Sequence, residues 1–204
     1  MSYLRKLALF GAGGHAMEVA AQIGKDIKFF VDDKYVCLGT LPISQFDPSE
    51  YLMMVAVGNS HDREAMVLKL PKETQYFTFI HSTALILDPN NFKLGEGSFI
   101  GAYSVVTTNC RIGRHAILNR AVHVGHDAII GDYFSAMPGV IISGNVSVGH
   151  RVYFGTHSSC VEKISISSDV TIGLGAAIVN HLEPAGTYVG VPAKLLKKFD
   201  DSSK

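Results

Sequence analysis

The sequence predicts two architectures in one chain: an α/β N-terminal domain with a small Rossmann-like parallel sheet, then an all-β left-handed parallel β-helix of hexapeptide repeats. Two observations carry this. Short apolar runs alternate with helical segments up to about residue 80, and from Leu94 onward every sixth residue is apolar. Strand–helix alternation builds a parallel sheet with helices packed on it, whereas a fixed sixfold period belongs to stacked short strands. The expected organisation is a Rossmann-like α/β domain over 1–80, a linker over 81–93, the repeats over 94–181, and a terminal loop and tail over 182–204.

In the first region Leu7-Ala8-Leu9-Phe10 reads as a buried strand, followed by a glycine loop from Gly11 to Gly14. Residues 15–23 read as a helix, with Met17, Ala20, Ala21 and Ile23 available for an apolar face. Phe29-Phe30-Val31 is a second strand ending at Asp32 and Asp33. Residues 52–57 are a third, ending at Gly58-Asn59, and Phe77-Thr78-Phe79-Ile80 is a fourth.

The second region steps through Leu94, Ile100, Val106, Ile112, Leu118, Val124, Ile130, Ala136, Ile142, Val148, Phe154, Cys160, Ile166, Ile172 and Ile178, all apolar. Gly follows directly at eight of these steps, among them Gly95, Gly113, Gly125 and Gly131. An α-helix does not have this period, and so many glycines would unfold one. Short strands joined by tight corners do: each anchor points into a narrow shared core and each following glycine permits the corner. Three hexads close one triangular coil, so the region holds about five. Outward strand residues such as Val105, Ile117 and Ile129 are left needing cover. The polar end, Asp200 to Lys204, is expected to fray.

Composition narrows the function classes. Lys+Arg and Asp+Glu both count 18, and the sequence pI is about 7.1. A nucleic-acid binder needs a basic surface to displace counterions, so no nucleic-acid partner is expected. Cys37, Cys110 and Cys160 are odd in number and form no CxxC pair, which fits a reducing compartment. There is no signal-peptide pattern and no apolar run long enough for a membrane span. The expected location is cytoplasmic.

Several motifs in this order and spacing carry a family resemblance. They are Gly11-Ala12-Gly13-Gly14-His15, Val31-Asp32-Asp33, Val57-Gly58-Asn59 with Arg63, Ile80-His81 and Ile117-Leu118-Asn119. Further along come His126-Asp127, Ser143-Gly144-Asn145-Val146 and Val189-Gly190-Val191-Pro192-Ala193-Lys194. Over nearly its whole length the chain resembles the hexapeptide-repeat sugar acetyltransferases of the PglD/NeuD type. The resemblance implies a homotrimer with three active sites, each in a cleft between neighbouring β-helices, and acetyl-CoA as donor. In the PglD branch it implies a UDP-linked 4-amino-4,6-dideoxy sugar as acceptor, with a dTDP-linked amino sugar as the related possibility. The NeuD branch is associated with O-acetylation of sialic acid.

The same resemblance implies site residues. Gly11, Gly13, Gly14, His15, Asp32, Asp33, Gly58, Asn59 and Arg63 would bind the sugar nucleotide, with His15 near the diphosphate and the Asp pair near uracil. Gly173, Gly175, Pro192 and Lys194 would bind CoA, and Asn119 would contact acetyl group or substrate. Some relatives carry a further histidine shortly after the Ile130-Gly131-Asp132 step, where this chain has Ser135.

Weighed on their own chemistry, these motifs differ in strength. A glycine loop opening a helix suits a phosphate. Gly11, Gly13 and Ala16, with acids about twenty residues on, also meet the dinucleotide fingerprint. Only one mononucleotide half fits before the repeats, however, and a purely structural turn is the bland reading. His126 stands apart from the other histidines by position. In a coil of about eighteen residues Gly144 stacks directly over it, about 4.8 Å away. A base and an unshielded backbone amide then adjoin, as acyl transfer requires. Asp127 could orient the imidazole.

His123 and His126 form H-x-x-H, but residues three apart on a strand path face opposite sides, so no metal is expected. Cys110 and Cys160 occupy inward positions, and no covalent route is expected. The predicted reaction is direct attack of a sugar amine, at C4, on the acetyl thioester, with His126 as general base, Asp127 as its support and Gly144 as oxyanion donor. Three alternatives stand beside it: a sugar or sialic acid O-acetyltransferase, a non-catalytic nucleotide-sugar-binding protein, and a metal-dependent β-helix hydratase.

Overall fold

The computed structural model describes residues 5–24 and 26–199, so the expected fraying from Asp200 to Lys204 lies outside the described residues. In the N-terminal part, β1 (Lys6–Phe10), β2 (Ile27–Val31), β3 (Thr40–Pro42) and β4 (Tyr51–Val55) form one parallel sheet in the order β3-β2-β1-β4. Helices α1 (Gly14–Ile23) and α2 (Ser60–Leu68) follow β1 and β4. Period-two alternation sorts the strands. Leu9 and Met54 face α1 and the β-helix, while Phe10, Phe30, Met53 and Val55 pack with Phe46 and Leu70 on the other side.

Two expectations change here. Helix α1 buries Ala16 and Val19, while Met17 is 56 % exposed. The helix is wedged between the sheet and Phe99 and Ile117 of the coil, and small side chains permit that approach. The fourth strand of the sheet is Thr40–Pro42, not the segment ending at Ile80. Tyr76 bridges Met53 at the edge of β4. The strand Phe79–Ile80 then pairs with Phe99–Ile100 as part of the coil.

The β-helix consists of three stacks of short parallel strands, five, six and eight strands deep, the eighth of the deepest stack running antiparallel at the C-terminal end. Register repeats every eighteen residues: Leu94, Ile112, Ile130, Val148 and Ile166 stack in one column. Their side chains, with the anchors of the other two faces, form a single buried core. The segment 81–93, read as a linker, holds the strand Leu85–Ile86, paired with Val105–Val106. Ile80 and Ile86 keep the sixfold step, but two extra residues around Pro89-Asn90 shift the phase before Leu94.

The corners are made differently from the sequence reading. The left-handed residue lies three positions after each anchor, from Gly97 through Tyr103, Asn109, His115, Ala121 and Asp127 to Gly175, and eleven of these residues are not glycine. The glycines just after the anchors serve a different constraint. A β-carbon on Gly131 would lie 2.7 Å from the carbonyl of Gly149 in the next coil. They permit stacking rather than turning.

Of the outward residues expected to need cover, Ile117 is only 2 % exposed because the N-terminal domain packs on it. Val105 is half-buried and Ile129 is exposed. A stripe of exposed apolar side chains, Leu85, Ile141, Val161 and Val179, runs along the six-stranded face and its following corner. Among the described residues no helix is long and apolar enough to cross a membrane.

The corner chemistry sets opposite signs for two small substitutions. Gly131→Ala should cost about 1–3 kcal/mol through a clash with rigid backbone. Ala121→Gly should stabilise by up to about 1 kcal/mol, by relieving a left-handed alanine. Urea unfolding of the two variants beside wild type measures both.

Candidate active site

His126 lies on the corner after the six-stranded face. Its Nδ1 is 2.8 Å from Asp127 Oδ2, and Asn109 Nδ2 donates to the other carboxylate oxygen at 2.7 Å. The left-handed backbone at Asp127 turns its short side chain back towards the preceding imidazole. These bonds, that from His126 first, hold the Asp127 carboxyl below its ordinary range, so it is anionic near neutrality. The His126 side chain is 53 % exposed. Gly144 stacks on it from the next coil: a β-carbon there would sit 2.5 Å from Nε2. His126, Asp127 and Gly144 are therefore brought together. Asn119 is not with them. It is buried on the corner after the eight-stranded face, where its Oδ1 accepts from the Arg120 amide at 2.8 Å.

Gly173 shares the Asn119 column, three coils further on, and Gly175 is the left-handed corner beside it. The turn holding Pro192 lies against this last coil, where Ala193 donates to the Ala177 carbonyl at 2.8 Å. Lys194 starts the exposed antiparallel strand that follows. The four residues assigned to CoA thus gather at the C-terminal end of the coil.

The glycine loop sits at the carboxyl ends of the small sheet, where the strand order reverses between β1 and β4. In open α/β sheets that switch point is the ligand crevice. A cavity of about 400 Å³ opens there, lined by Gly11, Gly13, Val31, Asp32, Tyr35 and Val57 among others. Helix α1 begins at Gly14 with no side-chain cap and no acid in its first turn, so its amide end suits an anion. Gly13 and Gly14 face open space. Asp32 lines the cavity and accepts from Lys69 Nζ at 2.8 and 3.0 Å. Asp33 turns away and accepts from the Ser44 amide at 3.1 Å. Ser44 holds its carboxyl below the usual range. His15 packs edge-on against Phe99 of the coil, and its Nε2 is buried without a partner.

The other residues assigned to the nucleotide serve the fold. Asn59 caps α2 by accepting from the amides of His61 and Asp62 at 2.9 and 3.1 Å. Arg63 is fully buried and cannot touch a ligand, contrary to expectation. Its guanidinium donates to Val57 O, Gly58 O and Asn59 O on its own domain. Across the junction it donates to His115 O, Tyr133 O, Phe134 O and Ser135 Oγ. Ser135 Oγ also donates to Gly58 O at 2.7 Å, so it belongs to this knot and not to the His126 corner. No sequence pattern marked the knot, because its partners across the junction lie 52 to 77 residues apart. Among the described residues no group of three or more His, Cys, Asp or Glu could hold a metal ion.

A parallel β-helix with a histidine–carboxylate pair against a glycine, joined to an α/β module with an open glycine loop, is the architecture of a hexapeptide-repeat acyltransferase with an added N-terminal module. The family model described as the PglD N-terminal domain matches residues 6–70. A GDP-perosamine N-acetyltransferase of Escherichia coli O157:H7 is 28 % identical over 154 residues, 67 % of this chain and 69 % of the relative. Among solved structures, the acetyltransferase domain of PglB from Neisseria gonorrhoeae FA1090 in complex with acetyl coenzyme A is 30 % identical. The match covers 94 % of this chain and 99 % of that one, with a TM-score of 0.83. A mutant of perosamine N-acetyltransferase from Caulobacter crescentus, in complex with CoA and GDP-perosamine, is 25 % identical; the match covers 97 % and 99 %, with a TM-score of 0.84. The chain belongs to the hexapeptide-repeat sugar acetyltransferases of the PglD type.

The junction has a pH signature. His115 is 1 % exposed, stacked on Tyr133 and edge-on to Tyr76, and burial pulls it from 6.5 to about 4. The unfolded chain binds that proton below about pH 6.5 and the folded chain only below about 4. Stability is therefore lost as pH falls through this window, by about 3 kcal/mol from this group. His115→Phe, which keeps the ring stack and removes the titration, should flatten the fall. Urea unfolding at pH 7 and pH 4.5 for both proteins measures it.

Proposed function

We propose that the chain transfers the acetyl group of acetyl-CoA to the C4 amino group of a nucleoside-diphosphate-linked sugar, with His126 as general base. Acetyl-CoA is the acetyl donor and a nucleotide-linked amino sugar the acceptor class, in keeping with the family. The observation that carries the mechanism is the seating of the His126 ring on Gly144. With Nδ1–H donated to Asp127, Nε2 holds the free lone pair beside that glycine. The sugar amine attacks the thioester carbonyl, Nε2 takes the amine proton, and the oxyanion lies against the Gly144 amide. The C–N bond forms and the C–S bond breaks, and the departing CoA thiolate takes up a proton. Among the described residues the Gly144 amide donates to no backbone acceptor, which leaves it for this role.

One protomer carries these groups on separate corners. The His126 corner follows the six-stranded face, while Asn119, Gly173, Gly175 and the nucleotide module lie towards the eight-stranded side. The exposed apolar stripe between the two corners supports closure by a second copy, in a homotrimer whose clefts bring one chain's base to another's bound sugar and CoA. Gly173, Gly175, Pro192 and Lys194 are proposed to hold CoA. Gly11, Gly13, Gly14, His15 and Asp32 are proposed to hold the nucleotide. Free cysteines at 37, 110 and 160 fit work in the cytoplasm.

The resemblance implies uridine as the base, and the relatives that carry GDP-perosamine favour guanosine as the second reading. Thiol release from acetyl-CoA with UDP-, dTDP- and GDP-linked 4-amino sugars decides between them. Acetylation of sugar hydroxyls or sialic acid alone would sink the amine reading.

A positioned base contributes roughly 10²–10⁴ in rate, so His126→Ala should lose that factor in kcat with both substrates still bound. Gly144→Ala should cost a similar factor, because its methyl displaces the imidazole. Asp127→Asn should lose less. Steady-state kinetics on the three variants, with binding measured separately, checks all of them.

A further inference from the structure

Among the described residues Arg63 is the largest fully buried side chain. Its seven acceptors are six carbonyl oxygens and one hydroxyl, at 2.6 to 3.4 Å. Among the described residues no carboxylate pairs with it. Oriented dipoles can solvate a buried cation, yet its net charge stays uncompensated, which is costly unless an anion arrives. Burial accordingly pulls the guanidinium below its usual value.

The place of this charge is informative. Arg63 Nη1 is 2.6 Å from the Val57 carbonyl, and Val57 lines the cavity that Gly11 and Gly13 also line. Gly11 lies directly on this wall: a β-carbon there would meet Val57 Cγ2 at 3.3 Å. The field of Arg63 reaches the first turn of α1, where burial first and Arg63 second hold His15 below its ordinary value. Glu18, the nearest acid on that helix to raise it, is paired with Arg120 at 3.5 Å. One residue thickness of protein therefore separates an unneutralised cation from the open, acid-free end of α1.

We propose that Arg63 is the buried counter-charge of the substrate's diphosphate, a positioning residue that acts through the wall of the pocket without touching the ligand. This rests on the reading of the glycine-loop cavity as a nucleotide site. It separates two roles that one side chain could hold. As a mechanical knot Arg63 would affect every ligand of the domain alike, whereas as a counter-charge it affects them in proportion to their charge. At an effective dielectric constant of about 20, a buried charge this near is worth a factor on the order of ten per ligand charge.

The test is calorimetric titration of uridine, UMP and UDP, with guanosine, GMP and GDP alongside, into wild type, Arg63→Gln and Arg63→Lys. Arg63→Gln is expected to weaken the diphosphate, with its two to three charges, roughly hundred- to thousandfold while nucleoside affinity moves by less than about threefold. Arg63→Lys is expected to keep the wild-type ratio of diphosphate to nucleoside affinity at pH 7. A buried lysine has a lowered pKa, so in Arg63→Lys that ratio should fall between pH 7 and pH 8, where the wild-type guanidinium, pulled down to about 9, still carries its proton and the wild-type ratio holds. This second arm decides the matter even where Arg63→Gln does not fold. Equal loss for nucleoside and diphosphate in Arg63→Gln, or a pH-independent ratio in Arg63→Lys, would overturn the counter-charge and leave the nucleotide site standing. Absence of binding of either series by wild type would remove the nucleotide site itself, and the role of Arg63 with it.

Discussion

Each coil of the β-helix must lay its backbone about 4.8 Å above the one below, and most of what is particular to this chain follows from that vertical spacing. It forces glycine just after many anchors, because a β-carbon at Gly113, Gly125 or Gly131 would enter the neighbouring backbone. One left-handed residue sits at each corner from Gly97 to Gly175, with the strain spread over Asn, Asp, His and Tyr as well as Gly. The same spacing generates the reactive geometry. Among the described residues an imidazole stacks on a glycine at three places, His115 on Gly97, His157 on Gly139 and His126 on Gly144; what sets the last apart is the carboxylate of Asp127 at 2.8 Å from the same ring.

The N-terminal module adds what a bare coil lacks. Its sheet is small, and one face is completed by side chains of the coil, Phe99 and Ile117. The two parts share a core and are cross-tied by Arg63, Ser60 with Ser135, and Arg151 with Glu64. Such a junction ties the glycine-loop cavity to the coil. Under the proposed function it gives a sugar extending from that cavity a set direction, which is what alignment with a distant base requires.

The coil was legible in the sequence because its constraint is periodic: Leu94 to Ile178 step by six without exception. The pairing of His126 with Gly144 was legible for the same reason, since eighteen residues separate stacked positions. What escaped reading lacked periodicity or depended on burial by the other domain. The two-residue insertion near Pro89 hid the first coil. Arg63, read as a nucleotide contact, is a buried tie, and Ile117 is covered from within the chain and not by another copy. Asn59 resembled a ligand contact, but a helix N-cap presents the same residue type in the same place.

The central claim is that base and acceptor come from different copies. Complementation tests it most directly. A His126→Ala chain is mixed under refolding conditions with a chain whose nucleotide loop is blocked by Gly13→Asp, each inactive alone. If each site is shared between copies, random mixing at equal amounts should restore about a quarter of wild-type turnover. If every site lies within a single chain, the mixture will stay as inactive as its parts, and the shared cleft will be wrong.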